Sequence, residues 1–235
     1  METILKFFIS LFLMPGMISS FAQETKGKPA DTVRSKYIPT GLRLGTDLIS
    51  IIKSRVTKNF TGWEVNADVD FYRYYLAVDY GTWARRDSIS PFQTSAGKGY
   101  YENHGHYYRA GLDINFLLKD PDRNMFFIGF RYGHSNFDEK LSYAYKDSIY
   151  GNVSNAISST GLRGHWFEIT TGLRVKIFPG FWMGYNARLK FSPGASGGQG
   201  QLATYDIPGY GLAEKTIYWG FNYQLFWRIP FRRIK

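Results

Sequence analysis

Residues 217–227 read IYWGFNYQLFW. Ile217, Trp219, Phe221, Tyr223, Leu225 and Trp227 fall on one parity, while Tyr218, Gly220, Asn222 and Gln224 fall on the other. Side chains that alternate between two different surroundings mark a β-strand. Working outward, the same period recurs near residues 41–51, 62–71, 74–84, 106–118, 125–135, 165–178 and 181–191. With no helical periodicity beyond the N-terminus, the pattern predicts an all-β fold, an eight-stranded antiparallel barrel over residues 41–231.

The connections alternate in length. Tight turns are expected at Tyr72-Arg73, Asp120-Pro121-Asp122 and Pro179-Gly180. Between them lie a basic loop from Lys53 to Asn59 and long loops over 85–104, 136–163 and 192–214. Short turns on one side and long loops on the other are the habit of outer-membrane barrels, and an even strand number returns both termini to the periplasmic side.

The N-terminus supports export. Lys6 precedes an apolar run, Phe7 to Ile18, and Ser20-Phe21-Ala22 is a small-x-small site. Residues 1–22 therefore read as a cleaved signal peptide. The run is too short, and too interrupted by Pro15-Gly16, to make a transmembrane helix. Residues 23–40 read as a periplasmic linker and 232–235 as a basic tail. The chain has no cysteine, which excludes a disulfide framework, thiolate chemistry and a lipoprotein anchor. A net charge of +10 would suit nucleic acid, but an exported chain does not meet it. The mean hydropathy of −0.30 is compatible with a membrane barrel, because only every second strand residue meets lipid.

Alternation alone does not say which face points outward; a soluble lipocalin-like barrel has the same period with the apolar face inside. Three features set the direction. Gly45, Gly81, Gly111, Gly129, Gly133, Gly172, Gly184 and Gly220 all share the polar parity, as expected of a crowded interior that needs close approach. The same parity carries Asp47, Glu64, Asp68, Asp70, Asp79, Asp113 and Glu168, opposed by Arg43, Arg109, Arg131, Arg174, Lys176, Arg188 and Lys190. Closing the barrel brings acids of the early strands against bases of the later ones, the condition under which buried charge is tolerable. Trp63, Trp83 and Trp166 fall at strand ends on the long-loop side, and Trp182 and Trp227 on the turn side, which reads as two interfacial belts. The apolar parity, with Leu112, Ile114, Phe130, Leu173, Trp219 and Phe221, is then expected to face lipid.

In this pattern the chain resembles the small eight-stranded outer-membrane barrels of Gram-negative bacteria, the OmpA/OmpX type. It is most similar to a family of exported barrels known only as a domain of unknown function. The resemblance covers residues 41–231 and implies an architecture without implying an activity. Such barrels commonly end on an aromatic residue read by the insertion machinery; here Phe231 keeps the outward parity, and Arg232-Arg233-Ile234-Lys235 follow it.

Candidate chemistry is sparse. His104 and His106 share a face near Glu102, and His134 lies near the same rim, but no spacing fixes a tetrahedral zinc site. His134 and Ser135 point to opposite faces as strand neighbours, so a nucleophile–base contact would need a partner from elsewhere. The inward carboxylates around Glu64, Asn66, Asp68 and Asp70 read as a salt-bridge lattice in preference to a general acid–base pair. Eight strands leave an interior that side chains fill, so no aqueous pore is expected. Lys53, Arg55, Lys58, Arg85 and Arg86 face the exterior.

The sequence therefore predicts a monomeric, non-enzymatic outer-membrane barrel without cofactor or metal. Its interior network comprises Arg43, Asp47, Glu64, Asp68, Asp70, Asp79, Arg109, Asp113, Arg131, Glu168, Arg174 and Arg188. Its partners are outer-membrane lipids, lipopolysaccharide among them, and the barrel insertion machinery, with surface interactions made by the long loops. A lipid-modifying barrel enzyme of the lipid A deacylase kind is one alternative; a soluble periplasmic ligand-binding barrel is the other.

Overall fold

The alternation that defines the strands also decides their pairing, since each must put its polar parity on the same side of one sheet. In the computed structural model, which describes residues 38–89, 97–147, 149, 151–200 and 202–231, that sheet closes on itself. The strands are β1 (Gly41–Asp47), β2 (Phe60–Phe71), β3 (Tyr74–Ile89), β4 (Gly97–Asn115), β5 (Met125–Asp147), β6 (Gly151–Phe178), β7 (Phe181–Gly200) and β10 (Ile217–Pro230). They form a closed barrel in the order β1-β10-β7-β6-β5-β4-β3-β2, with every neighbouring pair antiparallel. A separate two-stranded sheet joins β8 (Asp206–Ile207) to β9 (Gly211–Leu212). The signal peptide, residues 23–37 of the linker and the 232–235 tail lie outside the described residues.

The polar parity is inside. Glu64, Asn66, Asp68 and Asp70 of β2 are buried, while Trp63 and Val65 between them are exposed. Leu112, Phe130, Leu173, Trp219 and Phe221 are exposed, with Ile114 half-exposed on the same face. This inverts the burial of a water-soluble fold.

Tryptophan corrects part of the expectation. Trp63 and Trp227 are on the outer face, but Trp166 and Trp182 are buried and Trp83 packs against an interior cluster. Trp166 follows Glu168 by parity, Trp182 follows Gly184 and Trp83 follows Gly81; position at a strand end does not override the pleat. Gly133 provides the space for Trp166, whose indole lies where a Cβ would stand.

The strands are also longer than expected. β5 has 23 residues and β6 has 28. Their ladder continues from Glu139↔Ser159 to Asp147↔Gly151, so most of the expected 136–163 loop is a projecting hairpin. β3 and β4 likewise extend to Ile89 and from Gly97, and β7 runs to Gly200. Beyond the apolar belt both faces of a hairpin are wet, so the alternation fades while the backbone hydrogen bonds persist.

Residues 48–56 depart from the expected strand and basic loop: α1 (Leu48–Val56) is helical. Asp47 explains the switch, since its carboxylate accepts from the Ile49 and Ser50 amides at 3.2 Å and from Ser50 Oγ at 2.6 Å, a helix N-cap. Lys53 and Arg55 occupy the last turn, where the helix dipole favours bases. Ser54 then ties the helix to β2 through both the carbonyl and the amide of Gly62, at 2.5 and 2.7 Å.

Candidate functional site

The interior is built in three tiers. The lowest is apolar: Tyr75, Met125 and Phe127 cluster together, with Trp182 and Phe226 also buried. Arg43 stacks on Tyr75 at 4.5 Å, and Arg174 on Phe127 and Phe226 at 4.8 and 4.5 Å. These planar cations join the floor to the charged tier above it.

The middle tier is a continuous lattice. Asp68 of β2 accepts from Arg43 Nε and from Arg174 Nη1, each at 2.7 Å. Arg174 reaches Asp113 at 3.5 Å, and Asp113 is held by Arg131 at 2.8 Å. Arg131 also pairs with Asp79, which faces Arg109 at 3.3 Å and Arg188 at 3.7 Å. Arg109 and Arg188 are shared between Glu64 and Glu168. Asn66 donates to both Glu64 and Asp79, at 2.8 and 2.7 Å. Five arginines thus meet Glu64, Asp68, Asp79, Asp113 and Glu168 across the barrel axis. The geometry supplies the mutual pairing that makes so much buried charge sustainable.

Ten of the twelve expected network residues are in this lattice; two are not. Asp47 is buried, but it caps α1 and accepts from the Tyr223 amide at 3.2 Å. Asp70 closes the turn-side rim, where it binds the Thr40 and Gly41 amides and Arg228 at 3.0 Å. Two further bases of the polar parity also leave it: Lys176 pairs with exposed Asp122 at 2.8 Å, and Lys190 serves the tier above.

That upper tier is a plug that sequence reasoning missed. Residues 206–211, expected within an exposed Gly-rich loop, turn into the barrel mouth and are buried. Ile207 and Tyr210 pack with Tyr107, Phe137, Leu162 and Trp166. Gly209, with φ +83, makes the turn against Tyr107 and Trp166, a conformation and a closeness that side chains resist. Lys190 donates to the Gly209 and Tyr210 carbonyls at 2.6 and 3.1 Å. Glu139 accepts from the Tyr205 and Asp206 amides, both at 3.1 Å, and from Tyr101 Oη at 2.5 Å. Asp206 accepts from Trp83 Nε1 at 2.9 Å and lies 3.6 Å from Arg85. Asn103 donates to the Asp206 carbonyl at 2.5 Å. Burial pushes both the Glu139 and the Asp206 carboxyls above the usual range, against hydrogen bonds that pull them down. The sequence signal for the plug is an apolar pair, Ile207 and Tyr210, flanking Pro208-Gly209 in a Gly-rich loop.

A cavity of about 190 Å³ remains between plug, helix and lattice, lined by Asp47, Lys53, Glu64, Trp83, Lys190 and Tyr210 among others. Arg85 points to the plug from inside the mouth, not to the exterior as expected, whereas Arg86 is exposed beside Glu102.

The rim histidines are on the outer face. His104 is largely exposed and its Nε2 lies 3.4 Å from Asp138; His134 stacks near Tyr108 at 5.2 Å. No group of three or more metal-ligating side chains converges among the described residues. Ser135 is fully buried, on the opposite face from His134.

Comparison with known proteins gives a family and a distant likeness. A family model described as a domain of unknown function (DUF6048) matches residues 4–234. No curated protein sequence matches the chain. Among solved structures, CarO2 of Acinetobacter baumannii is similar with a TM-score of 0.42 and 11% identity, covering 82% of this chain and 99% of that one. CarO of Acinetobacter baumannii gives 0.37 and 12%, with 83% and 99% covered.

Proposed function

The chain belongs to the DUF6048 family, and from that premise we propose that it is a monomeric, non-enzymatic barrel of the bacterial outer membrane that interacts through its projecting hairpins. The observation that carries this reading is the inverted burial: a buried, charge-paired interior inside an apolar exterior. On β5 the outward residues Phe126, Ile128, Phe130 and Tyr132 are exposed, and on β10 so are Ile217, Trp219, Phe221, Tyr223 and Trp227. An outward apolar band about 25 Å tall is what a membrane barrel presents to lipid. A soluble ligand-binding barrel puts that face inside. The signal-like N-terminus fits export, Phe231 fits recognition by the insertion machinery, and lipid is the expected partner of the belt.

The interior is filled by paired charges and topped by the buried plug, so function moves to the β3–β4, β5–β6 and β7–β10 connections and to α1 at the first loop. Cell fractionation tests the location: the protein is expected in the outer-membrane fraction, migrating faster on gels before boiling than after. Recovery in the soluble periplasm refutes the reading. Mass spectrometry of lipid A from cells with and without the gene tests the absence of lipid-modifying activity. Identical lipid A is expected, and a lost acyl chain or headgroup change sinks that part.

A further inference from the structure

All four histidines of the chain, His104, His106, His134 and His165, stand on the barrel's outer face, on the consecutive strands β4, β5 and β6. His134 is the cross-strand partner of His165 on one side and of Tyr108 on the other. His106 stands two residues above Tyr108, diagonal to His134, and His104 two residues further along β4. His134 and His165 stand in register with Tyr108 and, through it, Tyr80, at the upper edge of the apolar belt, and His106 and His104 lie above them on β4. His106 lies 6.2 Å from Tyr80 and His134 lies 5.2 Å from Tyr108, and exposed Trp63 stands level with His106 through Thr82, so outward aromatic rings and imidazoles share this edge. Gly194, opposite His165 on β7, leaves its imidazole the space a Cβ would take.

The charges around these histidines are mostly basic. Arg163 on β6 is exposed and pairs in register with Asn136. Arg86 on β3 and Lys140 on β5 flank Glu102, with Arg86 and Glu102 3.1 Å apart. Asp138 is the second acid; it lies 3.4 Å from His104 and accepts from the Gly161 amide at 2.7 Å. From β7 only Gly194, Ala195 and Ser196 reach this edge, and from β3 only Thr82 and Ala84 lie between Tyr80 and Arg86.

We infer that this histidine course is a binding surface for the phosphate of an outer-leaflet lipid headgroup, engaged when the imidazoles protonate. The inference rests on the membrane reading above, which puts this edge of aromatic rings and imidazoles at the interface, at headgroup depth. With neutral imidazoles, Arg86, Lys140, Arg163 and Lys58, which lines the hollow beside Arg86, Glu102 and His104, exceed Glu102 and Asp138 by two charges; protonation adds four more. Strands about 4.8 Å apart, with same-face residues two positions apart, let several of these cations reach one phosphate. Histidine is the side chain whose charge ordinarily changes between about pH 5 and 8, and bases at an anionic surface are attracted to it.

The test uses the full mature chain folded into phosphatidylcholine vesicles containing spin-labelled phosphatidylglycerol or spin-labelled phosphatidylcholine. Electron spin resonance reads the fraction of each label immobilised at the barrel surface. The phosphatidylglycerol phosphate keeps one charge throughout, so the protein alone supplies the pH dependence. Selectivity for it over phosphatidylcholine is expected to rise at least about fivefold from about pH 8 to about pH 5.5. The H104Q/H106Q/H134Q/H165Q variant is expected to insert normally but lose that rise. A flat wild-type profile, or a rise that survives in the variant, overturns the histidine surface while leaving the barrel reading intact. Failure of the wild type to insert at all overturns both.

Discussion

Asp68 is the point at which the interior lattice can be cut most cleanly. It holds Arg43 and Arg174 at 2.7 Å each, and among the described residues Arg43 has no other ion-pair partner. Asp68→Asn keeps the shape but strands a guanidinium whose side chain is 4% exposed. Arg174 retains Asp113 at 3.5 Å; Arg43 keeps no compensating carboxylate, only a neutral amide acceptor, the Tyr75 and Phe226 rings and the Met125 sulfur. Breaking a buried pair from one side costs about 3–5 kcal/mol. Arg43→Met leaves Asp68 still paired with Arg174 and is expected to cost less, about 1–3 kcal/mol. The double variant removes the stranded charge and restores the balance, so it should recover most of the loss. The assay is reversible urea unfolding of the barrel in lipid vesicles, followed by tryptophan fluorescence and by gel migration, with the four proteins forming a double-mutant cycle. A cost for Asp68→Asn below about 1 kcal/mol, with a double variant no more stable than that single one, refutes the lattice as a set of interdependent charges.

Other outcomes are equally specific. Trp166→Ala removes a fully buried indole that donates to Glu168 at 2.7 Å; a loss of about 3–5 kcal/mol is expected in the same unfolding assay. In vesicles of brominated lipid, single-tryptophan variants retaining Trp219 or Trp227 should be strongly quenched, while those retaining Trp166 or Trp182 should not; the reverse order would invert the barrel. The plug should tighten on mild acidification. Glu139 and Asp206 are both pushed up by burial, so the docked state binds protons more readily than the undocked one. Docking therefore gains stability as pH falls from neutral through the raised carboxyl values, and loses it as pH rises through them. Hydrogen exchange at the Tyr205, Asp206 and Tyr210 amides measures it, with slower opening expected toward pH 5 after correction for intrinsic exchange; a Glu139→Gln variant should flatten part of the dependence. Lys190→Met should raise exchange at those amides and at Gly211 without lowering global stability in proportion, because it releases the plug carbonyls and leaves the strand ladders intact.

The sequence made the barrel legible wherever one strand face met a different medium from the other. Parity alone placed Arg43, Glu64, Asp68, Asp79, Arg109, Asp113, Arg131, Glu168, Arg174 and Arg188 together before any pairing was known. It failed where the contrast vanished. Past His134 on β5 and before Trp166 on β6, both faces are wet, so Ser, Asn and Gly content reads as loop although the ladder runs on. The helix at Leu48–Val56 was hidden because Leu48, Ile49, Ile51 and Ile52 suit a strand as well as a helix, and only the Asp47 cap decides. Height along the strand suggests a rim for Trp83, Trp166 and Trp182, but the pleat already turns them inward. The plug depends on contacts of residues 205–210 with β3, β4, β5, β6 and β7, which no local pattern encodes.

β10 contributes no charged side chain to the central lattice. Its inward residues there are Gly220, Asn222 and Gln224, and its only charged residue, Arg228, lies at the rim beside Asp70. Every charge of the middle tier therefore comes from β1 to β7, leaving the last strand of the chain electrically blank. Neighbouring pairs such as Arg43–Asp68 and Arg131–Asp113 can form in an open, curled sheet, while Arg174–Asp68 and Arg188–Glu64 bridge distant strands and form as it closes. The seam between the first and last strands is then zipped by backbone and neutral side chains along the middle tier, with one charged clasp, Arg228 on Asp70, at the turn-side rim.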